Sequence, residues 1–316
     1  MEKAVREACV DVGIQFKTYS TSTLVHPQDL PFNITELPDI FTVFRTRVEA
    51  SVNIRTIFHS PQRIASPELP PFWLPSLFDL GLHQASFDTR SVFQFRGGET
   101  EAWKRLQDYF FESKAVMHYK KTRNDLLGSN SSSKFSPWLA QGCLSPRCIW
   151  HALKQVEIEL GSNESTYWLG FELLWRDYFY YLFDKYGTRF FNRYGIKSDK
   201  HVKHHIQDAL YASWKSGNTM HDFINANMIE LKLSGFMSNR GRQNVASYFC
   251  HDLGLDWRYG AAYFEELLID YDVCCNWGNW AYVAGVGNDP RKNRYFDTTK
   301  QANQYDSLGN YRNQWL

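Results

Sequence analysis

Over residues 145–158, 164–186, 208–216, 222–235, 240–252, 258–269 and 297–304, apolar positions recur every three to four residues. That spacing lets an α-helix turn a continuous apolar stripe toward a core. Glycines and prolines fall between these stretches, and the strict alternation of a half-buried strand is nearly absent. The helical texture begins at Gly97-Gly-Glu-Thr-Glu-Ala102, where two glycines mark a turn and Ala102, Leu106, Tyr109 and Phe110 form a stripe. The pattern therefore predicts a mainly α protein with a large all-helical domain over residues 96–316.

The beginning of the chain reads differently. Ala4, Val5, Ala8, Cys9 and Val12 share one helical face, Gly13 is a natural stop, and Ile14-Gln-Phe-Lys-Thr-Tyr19 alternates like a strand. One helix and one strand cannot bury an apolar face by themselves, so residues 1–20 read as the remnant of an α/β (Rossmann-like) domain whose earlier strands are absent. Residues 21–95 are rich in proline and read as a connector, with a short helix near residues 39–53.

Composition narrows the classes. The 43% hydrophobic content suffices for a sizeable core, and 16% aromatic residues with 11 Trp raise the expectation of a flat aromatic ligand or stacked bases. A net charge of +1 means that any nucleic-acid affinity must come from a local basic surface. The six cysteines form no C-x-x-C pair and read as reduced thiols, which points to an intracellular protein. No apolar run is long enough to span a bilayer, so a soluble protein without membrane contact is expected.

Two stretches concentrate polar groups in apolar surroundings. In Phe171-Glu-Leu-Leu-Trp-Arg-Asp-Tyr-Phe179, helical spacing sets Trp168, Glu172 and Trp175 on one face, with Arg176 placed to neutralise the glutamate. The run from Leu268 to Trp280 holds Asp270, Asp272, Asn276 and Asn279 among apolar residues and two tryptophans, which suggests a lined pocket. Ser131-Ser-Ser-Lys-Phe-Ser136 precedes a helix-like segment, where hydroxyls and free backbone N–H groups make an anion site, although a capped loop is the commoner meaning of a lone serine cluster. Arg240 and Arg242 flank a glycine, so one can turn inward to a carboxylate such as Asp270 while the other faces a phosphate; surface arginines are the plainer alternative. His201, His204 and His205 have metal-ligand spacing, but their run is polar and reads as solvated surface; no metal site is predicted. Walker, G-x-G-x-x-G, H-E-x-x-H and G-x-S-x-G signatures are all absent.

These segments resemble the photolyase/cryptochrome flavoproteins, and within them the DASH-type cryptochromes. The resemblance rests on Gly97–Ala102, Tyr119 with Arg123, Ser132-Ser-Lys-Phe-Ser-Pro-Trp-Leu139, Leu144-Ser-Pro-Arg147, Glu172-Leu-Leu-Trp-Arg-Asp177, Asn225-Ala-Asn-Met228, the run Gly235 to Ala246, Asp256-Trp-Arg258, and Asp270 to Gly287 followed by Asp289-Pro-Arg291. It implies FAD held inside the helical domain. Tyr119, Ser132, Ser133, Lys134, Phe135 and Ser136 would hold the diphosphate; Asn239 and Arg242 would flank the isoalloxazine, with Arg242 paired to Asp270. Asp270 and Asp272 would lie near the flavin and ribose edge, and Asn276 at flavin N5.

The implied activity is that of a lyase, the blue-light-driven splitting of cyclobutane pyrimidine dimers by an electron from reduced flavin. Glu172 would hydrogen-bond the dimer, Trp175 and Tyr282 would bracket it, and Arg123 and Arg240 would contact flanking phosphates. Tyr282 and Gln243 resemble the DASH pattern, and the weaker stacking wall predicts a preference for single-stranded DNA.

Trp280 and Trp257 match the inner two positions of the family's electron path, whereas His204 stands at the outer one, so photoreduction is expected to be slowed or rerouted, with Tyr211 a candidate. Thr219-Met-His-Asp-Phe-Ile-Asn225 also departs from the family's pattern. With nearly all of the α/β domain missing, no bound antenna methenyltetrahydrofolate is expected. A monomer is expected. The expected partner is single-stranded or UV-damaged DNA, with RNA an alternative; the competing readings are a blue-light photoreceptor acting through a protein partner, and a light-independent nucleic-acid-binding protein.

Overall fold

The computed structural model describes residues 2–58, 60–65, 68, 70–83, 86–197, 207–291 and 294–316. Among them lie α1 (Glu2–Asp11), α2 (Phe41–Ser51), α3 (Glu99–Gln107), α4 (Tyr119–Thr122), α5 (Ser136–Ala140), α6 (Pro146–Leu160) and α7 (Glu164–Tyr186). They continue with α8 (Asp208–Ser216), α9 (Asp222–Ser234), α10 (Asn239–Ser247), α11 (Trp257–Leu267), α12 (Val273–Val283), α13 (Thr298–Tyr305) and α14 (Asn310–Trp315). No strand occurs among the described residues.

Helix α7 is the axis of the bundle. Asn163 caps it by accepting from the backbone N–H groups of Ser165 and Thr166, at 2.7 and 3.0 Å, while the Thr166 hydroxyl accepts from the Asn163 N–H, a reciprocal capping box. Its buried face, including Leu169, Leu173, Tyr178 and Leu182, belongs to the main core. On one side it packs against α2, where Trp175 stacks on Phe41 at 3.7 Å and Phe44 meets Tyr178 at 5.0 Å. On another it meets α12, where the Phe179 ring lies over Gly278 so closely that a Cβ there would sit 2.3 Å from it. A second, smaller core joins Phe223 and Ala226 of α9 to Tyr311 and Trp315 of α14.

The connector is fastened at one point by a buried carboxylate. Asp177 accepts from the N–H groups of Leu24 and Val25 at 2.9 and 2.8 Å. Burial pushes its ionisation up to about 7. The described residues between 55 and 87 are exposed, with Phe58, Phe72, Trp73 and Phe78 all largely in solvent.

The expected strand at Ile14–Tyr19 does not form: these residues have no regular structure, and Ile14 and Tyr19 are exposed. A strand is stable only when its backbone groups pair with a neighbour, and among the described residues no neighbouring strand pairs with it. Helix α1 forms as expected, but none of its residues is buried.

Candidate functional site

A cavity of about 250 Å³ opens between the loop before α5, helix α7 and the segments leading into α10 and α12. Tyr119, Arg123, Ser132, Ser133, Lys134, Phe135, Ser136, Glu172, Asn239, Arg242 and Asp270 all line it. Residues as far apart in sequence as Tyr119 and Asp270 thus line one cavity. Asp125 and Met237, which carry no signal in the sequence, also line it, as does Arg176.

The serine loop forms the floor. Lys134 has φ 54°, the left-handed region that a non-glycine residue rarely occupies, and is followed by right-handed Phe135. Such an alternation makes a concave row of N–H groups suited to an anion. No protein acceptor takes the N–H of Ser132, Ser133 or Lys134 among the described residues. The Lys134 side chain is buried, donating to the Gly128 carbonyl at 3.0 Å and the Ser131 hydroxyl at 3.1 Å. Burial, helped by the nearby Arg105 charge, lowers its ionisation to about 8. An unpaired row of donors above a buried ammonium fits a diphosphate.

The opposite wall is acidic. Asp270 is buried and accepts through both oxygens from Nη2 of Arg242, at 3.0 and 2.8 Å, while Arg242 Nε donates to the Met237 carbonyl at 2.9 Å. This inward turn is the one proposed for one of the two arginines around Gly241. Glu172 is neutralised not by Arg176 but by Arg123, whose guanidinium donates to it while lying 5.2 Å over the Trp168 ring. Arg176 instead donates to the Ser22 carbonyl of the connector and to the Tyr180 hydroxyl. Burial raises the ionisation of Glu172, and Arg123 opposes the rise.

Several other candidates lie outside the wall. Asp272 caps α12, accepting from Cys275 N–H at 2.8 Å and from the Tyr180 hydroxyl. Asn276 donates to the Ala261 carbonyl at 2.9 Å, which ties α12 to α11. Trp280 is buried edge-to-face against Phe264 at 5.1 Å and Trp214 at 6.1 Å. Trp257 is buried against Trp277 at 5.7 Å and donates to the Arg193 carbonyl at 3.0 Å. Gln243 lies half-buried on α10. Trp175 and Tyr282 do come together, edge to face at 5.8 Å. Arg240 reaches Asn124 at 2.9 Å, and the positive charges of Arg123 and Arg294 are close enough to weigh against its own. Arg294 lies over the Tyr282 ring at 4.4 Å, so Arg123, Arg240 and Arg294 form a basic cluster beside the aromatic pair. His201, His204 and His205 lie outside the described residues; among those described, no group of three metal-ligating side chains occurs.

Comparison with known proteins gives this arrangement its context. The family described as the FAD binding domain of DNA photolyase matches residues 168–316. A cryptochrome DASH from Synechocystis sp. is 51% identical over 314 residues, covering 96% of this chain and 62% of the relative. One from Danio rerio is 50% identical, covering 100% of this chain and 61% of the relative. The crystal structure of a Synechocystis cryptochrome superimposes with a TM-score of 0.95 at 50% identity, over 100% of this chain and 65% of that one. The chain thus spans about three fifths of the length of the curated relatives it matches.

Proposed function

Because the chain belongs to the photolyase/cryptochrome flavoprotein family and sides with its DASH-type members, we propose that it repairs cyclobutane pyrimidine dimers under blue light, preferentially in single-stranded DNA. FAD is the cofactor of this domain family; bound, reduced and excited by light, it would supply the electron for opening the cyclobutane ring. The observation that carries the reading is the meeting, in one cavity, of the donor-rich serine loop, the Arg242–Asp270 pair and the Glu172 carboxyl.

In this reading the chain's own groups bind, orient and screen. The free N–H groups and Lys134 would hold the diphosphate, and Arg242, fixed by Asp270 and Met237, would lie beside the flavin ring. Asn276 is assigned to the flavin N5 side and Asp272 to the ribose side. Glu172, its ionisation raised by burial and opposed by Arg123, is assigned to hydrogen-bond a pyrimidine carbonyl and to steady the charge developing there. Trp175 and Tyr282 receive the extracted bases, and Arg123 and Arg240 hold the flanking phosphates. Trp280 and Trp257 are assigned to electron supply.

The test is dimer loss in UV-irradiated oligo(dT), in blue light and in darkness, for the wild type and for Glu172→Gln. Light-dependent loss that falls at least tenfold in Glu172→Gln supports repair. Intact flavin photochemistry without dimer loss in the wild type would sink it in favour of a photoreceptor.

A further inference from the structure

Arg105 lies at the start of the helical domain, far in sequence from the loop it touches, and is 3% exposed. All five of its N–H groups are used. Nε donates to the Ser133 carbonyl at 3.0 Å, and Nη2 to the carbonyls of Ser129 and Ser132 at 2.9 and 3.0 Å. Nη1 donates to Asp108 and to the Asn130 side chain, each at 2.7 Å. Phe93 and Tyr109 cover the guanidinium at 5.0 and 4.9 Å. A planar fork fully satisfied and sandwiched between rings has no freedom to re-aim.

The consequence follows from peptide geometry. No cis peptide bond occurs in the described chain, so each carbonyl points opposite to the N–H of the next residue. Drawing the carbonyls of Ser132 and Ser133 toward Arg105 therefore turns the N–H groups of Ser133 and Lys134 away from it. Both residues line the cavity, and both N–H groups lack a protein acceptor among the described residues. We infer that Arg105 is the positioning residue of this loop, holding its carbonyls on the core side so that its N–H groups meet an anionic, diphosphate-bearing ligand. The ligand's identity rests on the flavin reading above; the orientation of the loop does not. A lysine at this place would keep the charge but could not reach three carbonyls in one plane.

The test uses the full chain stripped of flavin, titrated with FAD, with pyrophosphate and with riboflavin, which carries no phosphate. Arg105→Lys is expected to weaken FAD and pyrophosphate by about tenfold or more and riboflavin by less than about twofold. Equal weakening of FAD and riboflavin would mark a merely structural role and overturn the assignment, as would no weakening. A second measurement requires no variant: pyrophosphate added to the wild-type chain should move the backbone amide resonances of Ser133 and Lys134, and unmoved resonances overturn the assignment. Wild-type protein that shows those shifts but takes up no FAD would support the loop assignment while removing the flavin reading.

Discussion

Glu230 sits in the middle of α9, 1% exposed, and its side chain accepts a single hydrogen bond, from the Tyr311 hydroxyl at 2.6 Å. Burial raises its ionisation from 4.5 to about 8, against the opposing pull of Tyr311 and of the more distant Lys134 and Arg242. A raised carboxyl is stabilising in its protonated form. The unfolded chain loses this proton near pH 4.5 and the folded chain near 8, so stability falls as pH rises between the two values. Well inside that window each pH unit costs about 1.4 kcal/mol, and less close to pH 8, so the step from pH 6 to pH 8 costs about 2.3 kcal/mol. Glu230→Gln keeps an oxygen for Tyr311 and removes the titration. Between pH 6 and pH 9 the wild type should therefore lose about 2.7 kcal/mol more than Glu230→Gln, or about 5 °C in Tm for a chain of this size. Thermal melts followed by circular dichroism at both pH values give the double difference, in which other titrating groups such as Asp177 cancel. Parallel pH profiles for the two proteins would refute the reasoning, because the folded-state carboxyl would then ionise no differently from the unfolded one.

Lys134 titrates near 8 in its buried place, so anion binding that depends on its charge should weaken as pH rises through that value; pyrophosphate titrations at pH 7 and pH 9 check this, because the wild type should lose more affinity over that range than Lys134→Met. Gly260 lies under the Trp280 ring, where a Cβ would come within 2.3 Å of it. Gly260→Ala should cost about 1–3 kcal/mol, read from urea unfolding, and should shift Trp280 fluorescence; an unchanged midpoint would show that the ring has room to move.

Much of the helical bundle was legible because its helices are amphipathic. The stretches 164–186 and 208–216 coincide with α7 and α8, since each carries an apolar stripe and ends at a glycine, Gly187 or Gly217. Helix α12 escaped the periodic reading because Cys274, Trp277, Trp280 and Val283 leave it apolar on nearly every side, with Asn276 buried in the α11 contact. The stretch 240–252 was read as one helix, whereas α10 passes at Tyr248 into a wider π-helical turn that ends at Asp252. That change needs one extra residue per turn, which the apolar pattern hides.

Within the site, the inward turn of Arg242 to Asp270 could be anticipated from two arginines around a glycine. The partner of Glu172 could not. Spacing on α7 favoured Arg176, but Arg123 approaches from α4, a tertiary placement that no local pattern encodes. Arg105 left no signal for the same reason: an arginine in the first helix of a domain reads as surface until the loop it gathers has folded onto it.

The central claim is that the cavity between the serine loop and the Arg242–Asp270 pair is built for a flavin. Its most direct test is the visible absorption of the purified chain, before and after incubation with FAD and gel filtration. The account predicts flavin bands at close to one FAD per chain, reduced in proportion when Asp270→Ala releases Arg242. A folded, helical preparation that stays colourless after incubation with excess FAD would contradict it.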